Sequence, residues 1–213
     1  MTQWQDSILA ALQAMSGWEF LAVILAVAYL LLAMKESLWC WYAAFISSLI
    51  FIVLFWKARL LMESALQFYY VGMAVYGWYQ WKYSAQHGDG VQIHTWSLHR
   101  HLLAISAVLL ASLASGYLLQ QYTDAAWPYT DSLTTWGSIL TTYMVTRKVL
   151  ENWLYWLVID GICIFVYWDR GLHLTSLLFV AYLIICVFGF FQWQRQLRAE
   201  TQAQPTALAT SSG

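Results

Sequence analysis

Long apolar stretches alternate with short polar breaks along the whole chain. Each stretch is close to the length that an α-helix needs to cross a bilayer. The longest interruption, residues 82–100, is polar enough to form an aqueous loop. The pattern therefore predicts seven membrane spans, at about residues 18–34, 37–56, 60–81, 101–119, 130–146, 151–168 and 173–193.

Composition supports a membrane protein and excludes several other classes. Hydrophobic residues make up 61% of the 213 residues and charged residues only 10%, whereas a soluble domain carries roughly 25% charged residues. The net charge of −1, without a basic block, gives no indication of nucleic-acid binding. Three cysteines lie in apolar stretches and indicate neither disulfides nor a metal site. No motif indicates an enzyme, a cofactor or a metal.

An internal repeat organises the predicted spans. A shift of 112 residues aligns Trp41 with Trp153 and also aligns the GWYQW segment, 77–81, with GFFQW, 189–193. Spans 1–3 therefore recur as spans 5–7, and span 4 is the linker. Because three helices reverse the chain direction, one inserted helix makes the two triplets parallel. This predicts an all-α polytopic membrane protein of 3+1+3 helices, an architecture of transporters with a substrate site between the repeats.

The distribution of basic residues predicts the orientation. Seven Lys and Arg fall on one side of the predicted spans and three on the other, so the first side is expected to be cytoplasmic, with the N-terminus outside and the C-terminus inside. The predicted segments are an interfacial amphipathic helix at 1–17, the first repeat at 18–81, a cytoplasmic loop at 82–100, the linker span at 101–119, the second repeat at 130–193 and a cytoplasmic tail at 194–213.

The sixth span carries the clearest polar face. Asn152, Trp156 and Asp160 are spaced i, i+4, i+8 and share one side of a helix, with Trp153 beside it. An acid at the depth of Asp160 costs roughly 2.5 to 3.5 kcal/mol on insertion, so it usually faces a cavity or a partner. Tryptophan at this depth can stack on a flat ring, more strongly if the ring is cationic. A structural helix–helix contact is the alternative.

Other polar positions are weaker candidates. On the third span, Glu63, Gln67 and Tyr70 follow a helical spacing, although Glu63 is close to the span end. Ser and Thr along the fifth span are more typical of helix packing. The histidines of the 82–100 loop and its border are expected to be solvated, because carboxylates and cysteines at metal-ligand spacing are missing.

The string MVTRKVLENWLYW at 144–156, together with YGWYQW at 76–81, resembles the PnuC family of bacterial vitamin transporters. The family is similar in organisation to the SWEET transporters. The resemblance implies facilitated diffusion of a vitamin such as nicotinamide riboside, thiamine or riboflavin across the inner membrane, followed by trapping through a cytoplasmic kinase. It also implies that Trp153 and Trp156 stack the substrate and that Asn152 and Gln67 bind it.

The substrate expectation depends on departures from the family pattern. Ser47, Ala74 and Asp160 stand at positions where nicotinamide riboside transporters are expected to carry asparagine. A carboxylate only accepts hydrogen bonds, which suits an aminopyrimidine or a thiazolium cation. The sequence thus slightly favours thiamine, with nicotinamide riboside as the alternative. A proton-coupled symporter and a homo-oligomer remain open.

Overall fold

A computed structural model describes residues 3–57, 61–84, 90–123 and 126–210 of the chain. Helices account for nearly all of the described residues. In chain order they are α1 (Gln3–Ala14), α2 (Gly17–Met34), α3 (Trp39–Lys57), α4 (Leu61–Tyr83), α5 (Leu98–Tyr122), α6 (Pro128–Thr146), α7 (Asn152–Asp169) and α8 (His173–Thr210).

Helices α2 to α8 correspond to the seven predicted spans. Four of the described helices are long and apolar enough to cross a membrane by length and composition. They are Gly17–Met34, Trp39–Lys57, Leu98–Tyr122 and His173–Gln202. Of the remaining three, α4 and α6 carry more Tyr, Trp, Ser and Thr, and α7 carries Asn152, Asp160 and Asp169, which lower their hydropathy. The all-helical prediction is confirmed, and the spanning of all seven helices stays a prediction.

The internal repeat is visible in the packing. Ser64 on α4 donates a hydrogen bond to the carbonyl oxygen of Ile52 at 3.2 Å, and Ser176, 112 residues later, donates to that of Ile164 at 3.0 Å. The same equivalence holds for two close helix contacts, in which the Trp41 ring covers Gly77 and the Trp153 ring covers Gly189. A Cβ added at either glycine would overlap the indole. Equivalent contacts therefore hold the helices together within each of the two triplets.

The two triplets meet through equivalent helix pairs. Helix α2 packs against α8 and, at the equivalent place, α6 packs against α4. Within the first triplet α3 contacts both α2 and α4, and within the second α7 contacts both α6 and α8. The linker α5 packs along α6. Both repeats therefore contribute helices to the interior between the triplets.

One end of the bundle, here called the basic end, holds the α2–α3 and α6–α7 turns and the start of α5. Glu36 and Lys148 occupy equivalent positions in the two turns, and both have a positive φ, of 53° and 51°. Both turns are short, and each is stabilised by its own backbone hydrogen bonds to the end of the preceding helix. They include Glu36 N–H to the Ala33 oxygen at 3.0 Å and Lys148 N–H to the Val145 oxygen at 3.0 Å.

Two segments differ from the expectations. The 82–100 segment was expected to be an aqueous loop, but its described part, 90–97, docks on the basic end. His94 exchanges backbone hydrogen bonds with Lys148 and Leu150, at 3.1 and 2.8 Å, and Ile93 is buried. A polar segment can be ordered in this way when its backbone finds partners at the end of a bundle.

The C-terminal segment also differs. The last predicted span ends near residue 193, whereas α8 continues as one helix to Thr210. No glycine or early proline interrupts the segment QRQLRAETQ, and these residues are mostly strong helix formers. At the other terminus, α1 packs against α8, where the Ser7 hydroxyl lies 2.6 Å from Nδ1 of His173. The interfacial location predicted for this helix stays a prediction.

Candidate functional site

The polar face predicted on α7 lies inside the bundle. Asn152 is fully buried and Asp160 is 3% exposed. Trp156, half-way between them, is partly buried and packs against the core cluster that contains Trp81 and Trp193. At 1.5 Å per residue, the face extends about 12 Å along the helix from Asn152 to Asp160.

Two groups on this face have unused hydrogen-bonding capacity. The Asn152 amide donates from Nδ2 to the Val149 carbonyl oxygen at 2.7 Å, which orients the side chain, while its buried Oδ1 has no partner among the described residues. The buried Nε1 of Trp156 likewise has none. Buried polar groups are usually paired. An acceptor and a donor one helical turn apart could therefore bind a ligand that supplies their complements.

Asp160 has a weak partner only. Its Oδ2 accepts from the thiol of Cys186 on α8, with 3.8 Å between sulfur and oxygen. The phenol of Tyr182, also on α8, lies within electrostatic reach. Among the described residues, no lysine or arginine forms an ion pair with this carboxylate. The arrangement can balance a positive charge that enters between α7 and α8.

Trp153 is placed differently from Trp156. It is 1% exposed, its ring covers Gly189, and it forms an edge-to-face contact with Trp193 at a centroid distance of 5.4 Å. Trp41 makes the equivalent contacts with Gly77 and Trp81 in the first repeat. Both indoles therefore serve helix packing. The stacking role expected for Trp153 stays a prediction, and its ring is already enclosed by its own repeat.

The candidates from the first repeat are spread over several places. Tyr70 on α4 is oriented toward Ser138 of α6 and lies near Cys163. Gln67, one turn before it, is partly buried. Ser47 donates its hydroxyl to the Ala22 carbonyl oxygen of α2 at 2.8 Å, so it joins two helices of its own repeat. The side chain of Glu63 lies outside the described part of the chain.

Three interior residues were missed by the sequence analysis. Tyr29 on α2 is partly buried and lies near Cys40 and Tyr70 and, across the repeat boundary, near Cys186. Tyr182 and Cys186 face Asp160 from α8. Tyr182 is the repeat equivalent of Tyr70, so the alignment carried a signal for it. Tyr29 lies in an otherwise apolar helix, and nothing in its neighbourhood indicated an interior position.

The basic end is closed by contacts between the repeats. Trp81 Nε1 donates to the Val145 oxygen at 3.2 Å, and its equivalent Trp193 donates to the Ala33 oxygen, also at 3.2 Å. Val145 is the repeat equivalent of Ala33, so the two bonds are exchanged across an internal two-fold axis. Arg147 adds a further bond to the Gln80 oxygen at 3.0 Å. These contacts separate the α7 face from solvent at this end.

Two histidines expected to be solvated take part in contacts at the basic end. Nδ1 of His101 lies 2.9 Å from the Tyr155 hydroxyl, and its Nε2 lies 3.7 Å from Glu151. His94 pairs through its backbone, as described above. The expectation was therefore wrong for His101, because the start of α5 places it against α7. Among the described residues, no group of three potential metal ligands occurs.

A cavity of about 680 Å³ also lies near the basic end, on the side of α8. Its lining is partly apolar and partly polar, and it does not include the α7 face. The lining residues are Met34, Phe188, Phe191, Gln192, Arg195 and Gln196.

Comparison with known proteins identifies the family. The family model described as nicotinamide mononucleotide transporter matches residues 16–195, which include every helix from α2 to α7 and most of α8. The chain belongs to the PnuC family of transporters.

Individual members of the PnuC family show how far the similarity extends. The riboflavin/roseoflavin transporter RibM of Streptomyces davaonensis is 27% identical over 184 residues, covering 84% of this chain and 85% of the relative. The nicotinamide riboside transporter PnuC of Escherichia coli is 21% identical over 192 residues, covering 78% and 80%. The crystal structure of the vitamin B3 transporter PnuC matches with a TM-score of 0.70 at 17% identity, over 92% of this chain and 88% of that one.

Membership confirms the resemblance and part of what it implied. The chain is a multi-pass membrane protein of a transporter family, in agreement with the prediction of a transporter and not an enzyme. The preference for thiamine finds no support, since these relatives are named for nicotinamide riboside and riboflavin. The findings favour the alternative, nicotinamide riboside. The likeness to SWEET transporters is likewise unsupported and stays a prediction.

Proposed function

We propose that this protein carries nicotinamide riboside across the inner membrane by facilitated diffusion, and that the face of Asn152, Trp156 and Asp160 binds it. The observation that carries the proposal is that Asn152 Oδ1 and Trp156 Nε1 on this face have no hydrogen-bond partner in the part of the chain that the structure describes, in a chain of the PnuC family. Among the relatives, the transporter of Escherichia coli is named for this substrate.

The chemistry of the substrate complements the face. The carboxamide of the nicotinamide ring can donate to Oδ1 of Asn152. The flat pyridinium ring can lie against the Trp156 indole, where its positive charge strengthens the contact. Asp160 would balance that charge in a low-dielectric interior. Gln67 and Tyr70, on the opposite repeat, are proposed to bind the ribose hydroxyls.

The proposed movement uses the two repeats. All seven helices α2 to α8 would span the membrane as two parallel triplets joined by α5, and the triplets would rock about a site near the midplane. The excess of Lys and Arg at the basic end supports a cytoplasmic location of that end, with the N-terminus outside. Passive transport accumulates the vitamin only if a later reaction traps it, and a cytoplasmic kinase is the proposed trap.

Riboflavin is the second candidate, because the riboflavin/roseoflavin transporter is 27% identical to this chain over 184 residues. Riboflavin is flat but uncharged at neutral pH. It would use the ring surface of Trp156 and the amide of Asn152, but it would gain little from the charge of Asp160. Binding of nicotinamide riboside should therefore depend on the charge of Asp160, and binding of riboflavin should depend on it little.

Calorimetric titration of the purified protein with nicotinamide riboside, riboflavin and thiamine tests the substrate. We expect nicotinamide riboside to bind, and binding of riboflavin alone would transfer the assignment to the second candidate. Uptake into proteoliposomes without a kinase tests the mechanism. Equilibration that an uncoupler leaves unchanged supports facilitated diffusion, whereas uptake that collapses with the uncoupler indicates proton coupling.

A further inference from the structure

The two residues with positive φ at the basic end are paired with each other. Lys148 Nζ donates to Glu36 Oε2 at 2.6 Å, and the two side chains are only 9% and 12% exposed. Each residue is the repeat equivalent of the other, so the ion pair lies close to the internal two-fold axis. A non-glycine residue with positive φ is uncommon. Among the described residues it occurs twice, at these two equivalent positions.

Other contacts surround this pair. The Lys148 ammonium lies 4.8 Å from the centroid of the Trp81 ring, a cation–π contact. Trp81 is itself one of the two indoles that donate across the repeat boundary. Glu200, on the extension of α8 beyond the predicted span, lies within electrostatic reach of both Glu36 and Lys148. The pair is thus connected to both triplets and to the C-terminal part of α8.

We propose that the Glu36–Lys148 ion pair is the latch that holds the basic end of the transporter shut. The inference deepens the proposed function, because rocking of the repeats must separate their contacts at one end. The latch joins the two turns nearest the axis, so it must break before a substrate on the α7 face can reach that end. The charge-assisted hydrogen bond of 2.6 Å favours the closed end, and both charges can regain water when that end opens. Such a pair suits a contact that has to break and re-form.

The internal symmetry supplies a matched test, because the two positions can exchange residues. In the double variant Glu36→Lys/Lys148→Glu both backbones keep a non-glycine residue with positive φ, and the charge pair is restored in reverse. By the two-fold axis, the new Lys at position 36 would lie over Trp193, the equivalent of Trp81. The neutral variant Glu36→Gln/Lys148→Met keeps similar side-chain volumes and removes the pair.

The measured quantity is the rate at which a membrane-impermeant maleimide labels Val145→Cys, applied from the basic end in proteoliposomes of known orientation. Val145 is 2% exposed and its carbonyl accepts from Trp81, so its labelling reports opening. We expect the neutral pair to raise the rate at least about tenfold, the size of a modest shift between two populated states, and the swapped pair to return it to the parent rate. Chains without Val145→Cys measure the contribution of the native cysteines.

A neutral variant that labels at the parent rate would overturn the latch, and so would a swapped variant that labels as fast as the neutral one. If the neutral pair fails to fold, Glu36→Gln alone provides the unlatched state. The variant Asp131→Asn/Arg170→Gln is the control, since it removes an ion pair inside the second repeat and should leave labelling unchanged. Labelling requires no ligand. A labelling rate that overturns the latch is therefore distinguishable from a titration in which no vitamin binds.

Discussion

Helices α3 and α7 are equivalent in the internal repeat, but their inner faces carry different chemistry. The face of α7 consists of Asn152, Trp156 and Asp160. The equivalent residues of α3, 112 positions earlier, are Cys40, Ala44 and Ser48. Both faces are directed inward, since Ala44 and Trp156 pack against the same core cluster. One copy of the repeat thus supplies large and polar groups, while the other supplies small ones that leave room opposite them.

The contacts that the two repeats share are of another kind. They are contacts of helix packing and of the turns at the basic end, such as tryptophan on glycine and serine on a carbonyl oxygen. In the proposed function the duplicated fold provides a scaffold, and the groups that bind the ring belong to the second repeat. The predictions below test the shared scaffold and the divergent face separately.

The largest expected effect concerns the shared glycines. Gly77→Ala and Gly189→Ala should each lower the free energy of unfolding by about 1–3 kcal/mol, because the new methyl group overlaps the Trp41 or Trp153 ring. Thermal unfolding in detergent measures both. Gly72→Ala is the control on α4, since a Cβ there has no neighbour within 4 Å. If the two variants behaved like Gly72→Ala, the packing equivalence would be wrong.

The next largest effect is expected on ligand affinity, from the indole ring of Trp156 on the inner face of α7. Trp156→Ala gives α7 the residue found at the equivalent position of α3. It should weaken binding of nicotinamide riboside about 30-fold, equivalent to about 2 kcal/mol for a desolvated cation–π contact. Calorimetric titration measures the affinity, and an unchanged helical signal in circular dichroism shows that the fold is intact, since loss of the packed indole itself lowers the thermal midpoint. Unchanged affinity in the folded variant would remove the stacking assignment.

Asp160→Asn should distinguish a cationic from a neutral substrate. We expect about a tenfold weaker affinity for nicotinamide riboside and less than about threefold for riboflavin, because only the former loses a charge partner. Both affinities are measured on the same preparation, with Cys186→Ser as a control that keeps a hydrogen-bond donor to residue 160. Equal losses for the two ligands would mean that Asp160 acts through packing.

The smallest effect again concerns the scaffold. Ser64→Ala and Ser176→Ala each remove one hydrogen bond to a helix carbonyl, at 3.2 and 3.0 Å. Each should lower stability by about 0.6 kcal/mol, the average for such bonds between membrane helices, and leave affinity unchanged. Denaturation in mixed micelles compares the two. A loss at only one of the serines would show that the repeats are stabilised unequally.

The helices and the repeat could be predicted from sequence because both depend on local patterns. Apolar length sets each helix, and identical residues 112 positions apart, such as Trp41 and Trp153, occur in identical contacts. The polar face of α7 was also predictable, because residues spaced by four share a helix side. A packing role for Trp153 was also predictable, since its equivalent Trp41 belongs to a repeat without the other polar groups.

The remaining features depend on how distant segments meet. The pairing of Glu36 with Lys148 requires the position of the two-fold axis, which no local pattern contains. The docking of residues 90–97 depends on backbone partners in the α6–α7 turn. The polar composition of the segment gives no indication of this docking. Tyr29 and Cys186 become neighbours only when α2 packs against α8.

The most direct test of the central claim gives α7 the inner face of α3. The triple variant Asn152→Cys/Trp156→Ala/Asp160→Ser places on α7 the residues that α3 carries at the equivalent positions, and it is titrated with nicotinamide riboside beside the parent protein. We predict that the variant keeps the helical content of the parent, measured by circular dichroism, with a lower thermal midpoint because the Trp156 indole packs against the core cluster, and that it binds no measurable ligand. Binding at the parent affinity by the folded triple variant would contradict the assignment of the ring-binding groups to the second repeat.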